Sequence, residues 1–214
     1  MTFTAWGKTE SVRFELEGHG REHIFDDVDL SRTIGWLTTV YPVVLRTSND
    51  DDIGDLLKSV KEQLRSIPGN GIGYGLLRYL RQDPALRNIP GAPILFNYMG
   101  QVDEPSKSSG RLTAVARNVG PARAGSGRRI YLIEINGRIE HGRLALDWTA
   151  SDRVHRRETI DELAQLYLAS LRRIISAATS GGAADSPSDF PLADLDPDDL
   201  ERLSHMLDEA DETD

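Results

Sequence analysis

The amino-acid sequence predicts an α/β domain in which a mixed β-sheet packs against helices. Three observations support this class: one strictly alternating segment, two long segments with apolar residues every three or four positions, and two β-rich segments joined by a turn signal. Of the 214 residues 39% are hydrophobic, which is enough to form a core. Because strands and helices are mixed along the chain and hairpins occur, the class is α/β in the broad sense.

The first two strands are predicted near the N-terminus. Segment 11–17 (SVRFELE) alternates, so one face is apolar and the other carries Arg13, Glu15 and Glu17. Segment 36–46 (WLTTVYPVVLR) is rich in β-branched and aromatic residues and is the second strand. Pro42 within it cannot donate to a strand ladder, which predicts a sheet edge or a bulge.

Helices are predicted at 51–68, where acidic residues open the segment and Pro68 stops it, and at 151–179. Between them, 69–80 (GNGIGYGLLRYL) is a glycine-rich turn that leads into a short helix. The 151–179 helix has an apolar stripe that predicts core packing. The stripe consists of Ile160, Leu163, Ala164, Tyr167, Leu168, Leu171, Ile174 and Ile175.

The remaining strands are predicted at 92–100 and within 129–148. In 129–148 the residues NGR would form the hairpin turn between two strands. Residues 103–128 are loop-like, with a candidate strand at 111–116.

Charge divides the chain into a body and a tail. The net charge is −9, yet residues 185–214 hold 12 of the 34 acidic residues and only one basic residue, Arg202. The body therefore has 22 acidic and 24 basic residues, a formal charge of +2. We expect one domain at 1–180 and a flexible acidic linker and tail at 181–214.

Composition argues against several classes of protein. The chain has no cysteine, no apolar run that could span a membrane, and no recognisable signal peptide, so we expect a cytoplasmic protein without disulfides. It lacks a basic stripe with interleaved aromatic residues, which argues against nucleic-acid binding. His19 and His23 do not lie on a helix that would favour metal binding, and 69–75 (GNGIGYG) follows a helix, unlike a dinucleotide loop.

The segment 17–22 (EGHGRE) has two carboxylates, a histidine, an arginine and two glycines in six positions. Glu17 lies on the polar face of its strand, and two glycines in the following turn would let a bulky group approach the backbone. From the residues alone, both a catalytic carboxylate and a solvated strand end remain open.

Four segments follow one another along the chain in this order: EGHGRE (17–22), RTIGWLTTVYPVVL (32–45), IPGNGIGYG (67–75) and FNYMGQ (96–101). Together they resemble the consecutive motifs of epimerization domains of nonribosomal peptide synthetases, within the condensation-domain superfamily. Residues 10 to about 180 are similar to the C-terminal half of such a domain, and 186–203 resembles the segment that commonly follows it. EGHGRE distinguishes this resemblance from one to condensation domains.

The resemblance implies a lobe similar to chloramphenicol acetyltransferase and an isomerase reaction. The substrate is an aminoacyl or peptidyl thioester on the phosphopantetheine arm of a peptidyl carrier domain; no cofactor is implied for this chain itself. The enzyme removes the α-proton and returns it to the other face, interconverting L and D residues. A carboxylate in a dry tunnel is a better base, and donors must face the developing enolate charge.

The family's catalytic glutamate corresponds to Glu17 in this sequence. His19 and Arg21 from the same motif, with Asn97 and Tyr98 from the last, correspond to residues that bind substrate or support the site. Three of these residues have an ordinary structural alternative: Arg21 could only pair with Glu17 or Glu22, Asn97 could only satisfy buried backbone, and Tyr98 could be part of the core.

The family's His-His-x-x-x-Asp-Gly motif is absent from this sequence, whose five histidines are never adjacent. We therefore expect a C-terminal lobe that is inactive alone and needs the N-terminal lobe, a carrier domain and other synthetase modules as partners. Two alternatives stay open: a condensation-type lobe that forms peptide bonds, and a non-catalytic docking module that uses the acidic tail.

Overall fold

The structure is a computed structural model that describes residues 1–47, 52–102, 120, 127–179 and 186–189, with 199, 202 and 206 in addition. The candidate strand at 111–116 and most of the tail lie outside these residues. In chain order the elements are α1 (Thr2–Gly7), β1 (Ser11–Gly18), β2 (Thr39–Arg46), α2 (Ile53–Arg65), a 3₁₀ turn (Pro68–Gly71), α3 (Ile72–Gly75), a π-helical turn (Leu76–Leu80), α4 (Pro84–Arg87), β3 (Ile94–Gln101), β4 (Ile133–Glu140), β5 (Arg143–Ala150), α5 (Arg157–Thr179) and a 3₁₀ turn (Pro187–Asp189).

The five strands form one mixed sheet in the order β2-β1-β3-β4-β5. The β1–β3 and β3–β4 pairs are parallel, and the β4–β5 pair is an antiparallel hairpin. The prediction of an α/β fold with a mixed sheet is confirmed. Pro42 lies in β2, an edge strand, which is where a residue without an amide donor is tolerated.

The chain divides into two compact units. The first consists of Met1–Val12, Val44–Gly71 and Glu162–Asp214, and the second of Arg13–Val43 and Ile72–Asp161. In the second unit, Ile133 and Ile135 of β4 are 3% and 1% exposed, and Leu95 of β3 is buried beside them in the sheet. In the first unit, Leu56 of α2 and Leu163 of α5 are buried.

The hairpin turn differs from the prediction. Asn136 and Gly137 lie inside β4, and the chain reverses at His141 and Gly142 instead. Both turn residues have positive φ, 52° and 69°, as a two-residue turn that follows the sheet twist requires. Gly137 lies in the strand between two side chains: a Cβ there would be 3.2 Å from Leu146 and 3.3 Å from the ring of Tyr98.

Two helices are shorter than predicted. Helix α2 ends at Arg65, and Pro68 begins the next turn. Helix α5 begins at Arg157, and the amides of Val154 and His155 both donate to the carbonyl of Ser151 in a turn that precedes it.

The predicted stripe of α5 is partly confirmed. Leu163 is fully buried, and six other stripe residues are half-buried. The prediction is wrong for Ile175, which is 54% exposed near the end of the helix. Among the described residues, no helix combines the length and apolar character needed to cross a membrane.

The segment that follows α5 contacts α2 within the first unit. Asp189 accepts hydrogen bonds from Lys61 and, at 2.7 Å, from Arg65, while the amide of Ser186 donates to Asp189 at 2.9 Å. These contacts, led by the one from Lys61, hold the pKa of Asp189 well below its usual range. At least this part of the predicted tail is therefore placed against a helix.

Candidate active site on the polar face of the sheet

The sheet has one face rich in polar groups, and Glu17 lies on it near the carboxyl end of β1. Side chains alternate between faces along a strand, so Glu15 and Glu17 share a face. Glu15 pairs with Leu95 of β3, which puts Asn97, two residues further, on that same face. Asn97 in turn pairs with Asn136 of β4, and its amide donates to the Asn136 side-chain oxygen at 3.3 Å.

Tyr98 lies on the opposite face of the sheet from Asn97, because the two residues are consecutive in β3. Its ring is 51% exposed and lies over Gly137 of β4. Asn97 and Tyr98, which the sequence groups in one motif, therefore belong to different surfaces, and only Asn97 shares the face of Glu17.

His19 lies in the turn after β1 with 67% of its side chain exposed. Its Nδ1 accepts a hydrogen bond from the backbone amide of Arg21 at 2.9 Å, and its Nε2 lies 3.3 Å from the carboxylate of Glu22. The ring is thereby held between the backbone and a carboxylate of its own turn, with the Nε2 hydrogen directed to Glu22.

Arg21 contacts backbone carbonyls. Its guanidinium donates to the carbonyl oxygens of Leu30 at 3.1 Å, Thr33 at 2.9 Å and Gly35 at 3.5 Å. The same side chain, together with Glu22, helps line a small pocket closed by residues 28–31. Arg21 thus joins the EGHGRE turn to the loop that precedes β2.

Sequence reasoning missed a buried and hydrogen-bonded carboxylate of this face, Glu15. It is only 9% exposed and accepts hydrogen bonds from the hydroxyl of Tyr131 at 2.5 Å and from the amide of Ala92 at 3.1 Å. Alternation alone assigned Glu15 to a solvated face. No local signal marks its partners, because they lie 77 and 116 residues away along the chain.

Tyr131 retains its proton under ordinary conditions. Burial raises the pKa of the Tyr131 phenol well above its usual range, and the hydrogen bond to Glu15 and the charges of Glu15 and Glu17 add to this. Each of these effects disfavours the phenolate. Tyr131 is therefore a hydroxyl donor held at the base of the polar face, within the electrostatic reach of Glu17.

The glycine-rich segment and the turn after it contribute an arginine between two tyrosines. The Arg78 guanidinium lies 5.7 Å from the ring centres of both Tyr74 and Tyr79 and donates to the Tyr74 hydroxyl. That hydrogen bond raises the pKa of Arg78, and the charge of Glu15 adds a smaller effect. The charges of Arg78 and Glu15 therefore attract each other.

Comparison with known proteins agrees with this architecture. Residues 1–189 match the model of the condensation domain family. One of the linear gramicidin synthase proteins of Brevibacillus parabrevis is 40% identical over 208 residues, which are 94% of this chain and 4% of that protein. Surfactin synthase subunit 2 of Bacillus subtilis (strain 168) is 35% identical over 210 residues, 98% of this chain and 6% of that protein.

Solved structures show the same fold. The epimerization domain from the third module of tyrocidine synthetase B aligns with a TM-score of 0.74 at 35% identity, covering 84% of this chain and 40% of that chain. A structure of condensation domain-mediated chain release from the enacyloxin polyketide synthase aligns with a TM-score of 0.58 at 16% identity, over 81% of this chain and 34% of that chain. The second likeness shows the fold alone.

The mixed sheet and the ordered motifs define a domain of the kind that nonribosomal peptide synthetases carry. The chain belongs to the condensation domain family. It spans less than a tenth of the length of the two synthetases above and less than half of the solved epimerization domain.

Proposed function

We propose that this chain is the C-terminal lobe of an epimerization domain, which interconverts L and D residues of an aminoacyl or peptidyl thioester. The substrate would arrive on the phosphopantetheine arm of a peptidyl carrier domain in the cytoplasm. The observation that carries the proposal is the position of Glu17, half-buried at the carboxyl end of β1 on the polar face that Asn97 shares. The EGHGRE motif and the 35% identity to a solved epimerization domain support it.

The chemistry divides among the residues of this face. A thioester acidifies the neighbouring α C–H bond, and Glu17 would accept the proton from it as a general base. The amide of Asn97 is a neutral donor on the same face, suited to the oxygen on which enolate charge develops. The proton must then be returned from the other side of the α-carbon, a step for which the His-His-x-x-x-Asp-Gly lobe would supply the group.

A second candidate is a condensation-type lobe that forms peptide bonds between two carrier-bound substrates. The match of residues 1–189 to the condensation domain family favours it, because both activities use this fold. A docking module without catalysis is a third candidate, based on the acidic C-terminal segment. The three differ in what happens to the α-proton of a carrier-bound aminoacyl group.

The test replaces Glu17 by Gln in a domain completed with the complementary lobe, fused or supplied separately. Exchange of the α-proton into deuterated buffer on an aminoacyl carrier protein should fall by roughly 10²–10⁴-fold, the usual contribution of a general base. Glu22→Gln is the matched control, since Glu22 belongs to the same motif and pairs with His19 in the turn. We expect it to retain most of the exchange.

The outcomes separate the candidates. Near-normal exchange with Gln at position 17 would refute the catalytic role of Glu17. Peptide-bond formation with unchanged stereochemistry would favour the condensation alternative, and carrier binding without either reaction would favour the docking module.

A further inference from the structure

The turn after β1 contains two features that its catalytic interpretation does not use. Gly20 is buried and has a φ of 66°, a conformation that side chains disfavour. A Cβ at this position would lie 1.6 Å from the carbonyl oxygen of Leu37 and 2.7 Å from its carbon. The backbone of Leu37 therefore runs directly against Gly20, and only a glycine fits there.

Arg21 secures the same loop from its other end. Its Nη1 donates to the carbonyls of both Leu30 and Thr33, and its Nη2 approaches that of Gly35 at 3.5 Å. Within the described part of the chain, its guanidinium makes these contacts and none to a carboxylate. A planar fork with several donors can bind two or three carbonyls at once, which a lysine ammonium cannot reproduce in the same geometry.

The middle of this loop is exposed, whereas Leu30 and Leu37 at its ends are half-buried. Ile34 is fully exposed and Trp36 is 88% exposed, so these apolar side chains contribute little packing. Within the loop, the amide of Thr33 donates to Leu30, and Ser31 donates to Asp29. The contacts from Gly20 and Arg21 thus join residues 30–37 to the end of β1.

We propose that Gly20 and Arg21 are positioning residues, which hold the 30–37 loop against the end of the strand that carries Glu17. Arg21 then acts on the reaction through the loop and does not touch the substrate. This consequence for catalysis rests on the proposed function, whereas the attachment of the loop does not. Because Gly20 and Arg21 follow Glu17 by three and four residues, a shift of the loop that they hold would also disturb the end of β1 that carries this carboxylate.

Limited trypsin digestion of the 214-residue chain tests the attachment. The exposed Arg32 lies within the loop, and cleavage after it requires the loop to detach. Arg21→Ala should raise the rate of this cleavage by about tenfold or more, because cleavage follows the population of the open loop. Cleavage after Arg138, inside β4, serves as the internal reference and should not change.

Three variants complete the design. Arg21→Lys retains the charge but not the fork, so we expect loop cleavage close to that of Arg21→Ala. Gly20→Ala should open the loop as well. Arg13→Ala is the matched control, because Arg13 is an exposed arginine of β1 that donates to one carbonyl, that of Gly91. Its loop should be cleaved at the wild-type rate.

The proposal is wrong if Arg21→Ala remains folded by circular dichroism and its loop is cleaved at the wild-type rate. It is equally wrong if cleavage rises alike at Arg32 and Arg138, since that would show general destabilisation. If Arg21→Ala fails to fold, the rates of cleavage after Arg32 and after Arg138 in Arg21→Lys decide the question instead. In the completed domain, loss of exchange by Glu17→Gln without loop opening would show that the two roles are separate.

Discussion

Glu15 and Glu17 lie two residues apart on one face of β1, yet their surroundings differ. Glu15 is buried and bound by a phenol and a backbone amide, so its oxygens are committed to the structure. Glu17 is half-buried next to the turn. The proposed role of Glu17 as a general base requires a carboxylate near the surface, whereas Glu15 is bound within the fold.

The hydrogen bond between Tyr131 and Glu15 should contribute measurably to stability. Tyr131→Phe removes the phenol donor and leaves a buried carboxylate with fewer partners, so we expect a loss of roughly 1–3 kcal/mol in the free energy of unfolding. Urea denaturation measures it. Tyr98→Phe is the control, because the Tyr98 ring is 51% exposed, and it should leave stability unchanged.

The same residue makes stability depend on pH in the alkaline range. The folded pKa of Tyr131 is raised, so its contribution is complete below the unfolded value of about 10 and is lost as the pH rises above it. The wild type should therefore lose more stability than Tyr131→Phe between pH 9 and 11 (about one unit on each side of that value). Burial also raises the pKa of Tyr41 and Tyr167, and the comparison subtracts their effect. Equal losses would contradict the assignment.

At the scale of elements, α5 offers a matched pair of positions. Leu163 is fully buried and Ile175 is 54% exposed, although both belong to the predicted stripe. Leu163→Ala should cost about 2–5 kcal/mol of unfolding free energy, the usual range for a buried leucine. Ile175→Ala should cost less than about 0.5 kcal/mol. Similar losses in chemical denaturation would show that the stripe is buried evenly.

The β4–β5 hairpin depends on a glycine in the turn. Gly142 has a φ of 69° with open space around it, so Gly142→Ala tests backbone strain alone and should cost about 1 kcal/mol. Gly73 lies in α3, also with open space, and Gly73→Ala should be neutral or slightly stabilising. Thermal or urea unfolding distinguishes the two, and an equal effect of both changes would contradict the turn assignment.

At the scale of the whole molecule, the proposed function assigns to this chain one half of a two-sided reaction. The 214-residue chain by itself should show no α-proton exchange on an aminoacyl carrier protein, because it lacks the second group and cannot exclude water from the carboxylate. Mass spectrometry after incubation in deuterated buffer provides the measurement. Exchange by this chain alone would mean that Glu17 acts as a single base.

Much of this fold could be predicted because its signals are local. Helix α2 and strand β1 follow from periodicity, β3 follows from its short apolar segment, and Pro42 restricted β2 to a sheet edge or a bulge, of which the structure has the edge. The hairpin turn could not be predicted in the same way. Two turn-like pairs, 136–137 and 141–142, lie close together, and strand pairing and the packing of Tyr98 over Gly137 decide between them.

The sequence by itself determined the α/β class, the order of most elements and the motifs that mark the condensation domain family, since each depends on residues near one another in the chain. Only the tertiary structure decided which side chains share a face. In the structure Asn97 shares a face with Glu17, whereas Tyr98 lies on the opposite face. Glu15 is buried and bound by Tyr131, and Arg21 donates to carbonyls of the 30–37 loop. The physical reason is that these contacts depend on strand register and on partners distant in the chain, where hydrogen bonding and burial select the arrangement and local propensity has no influence.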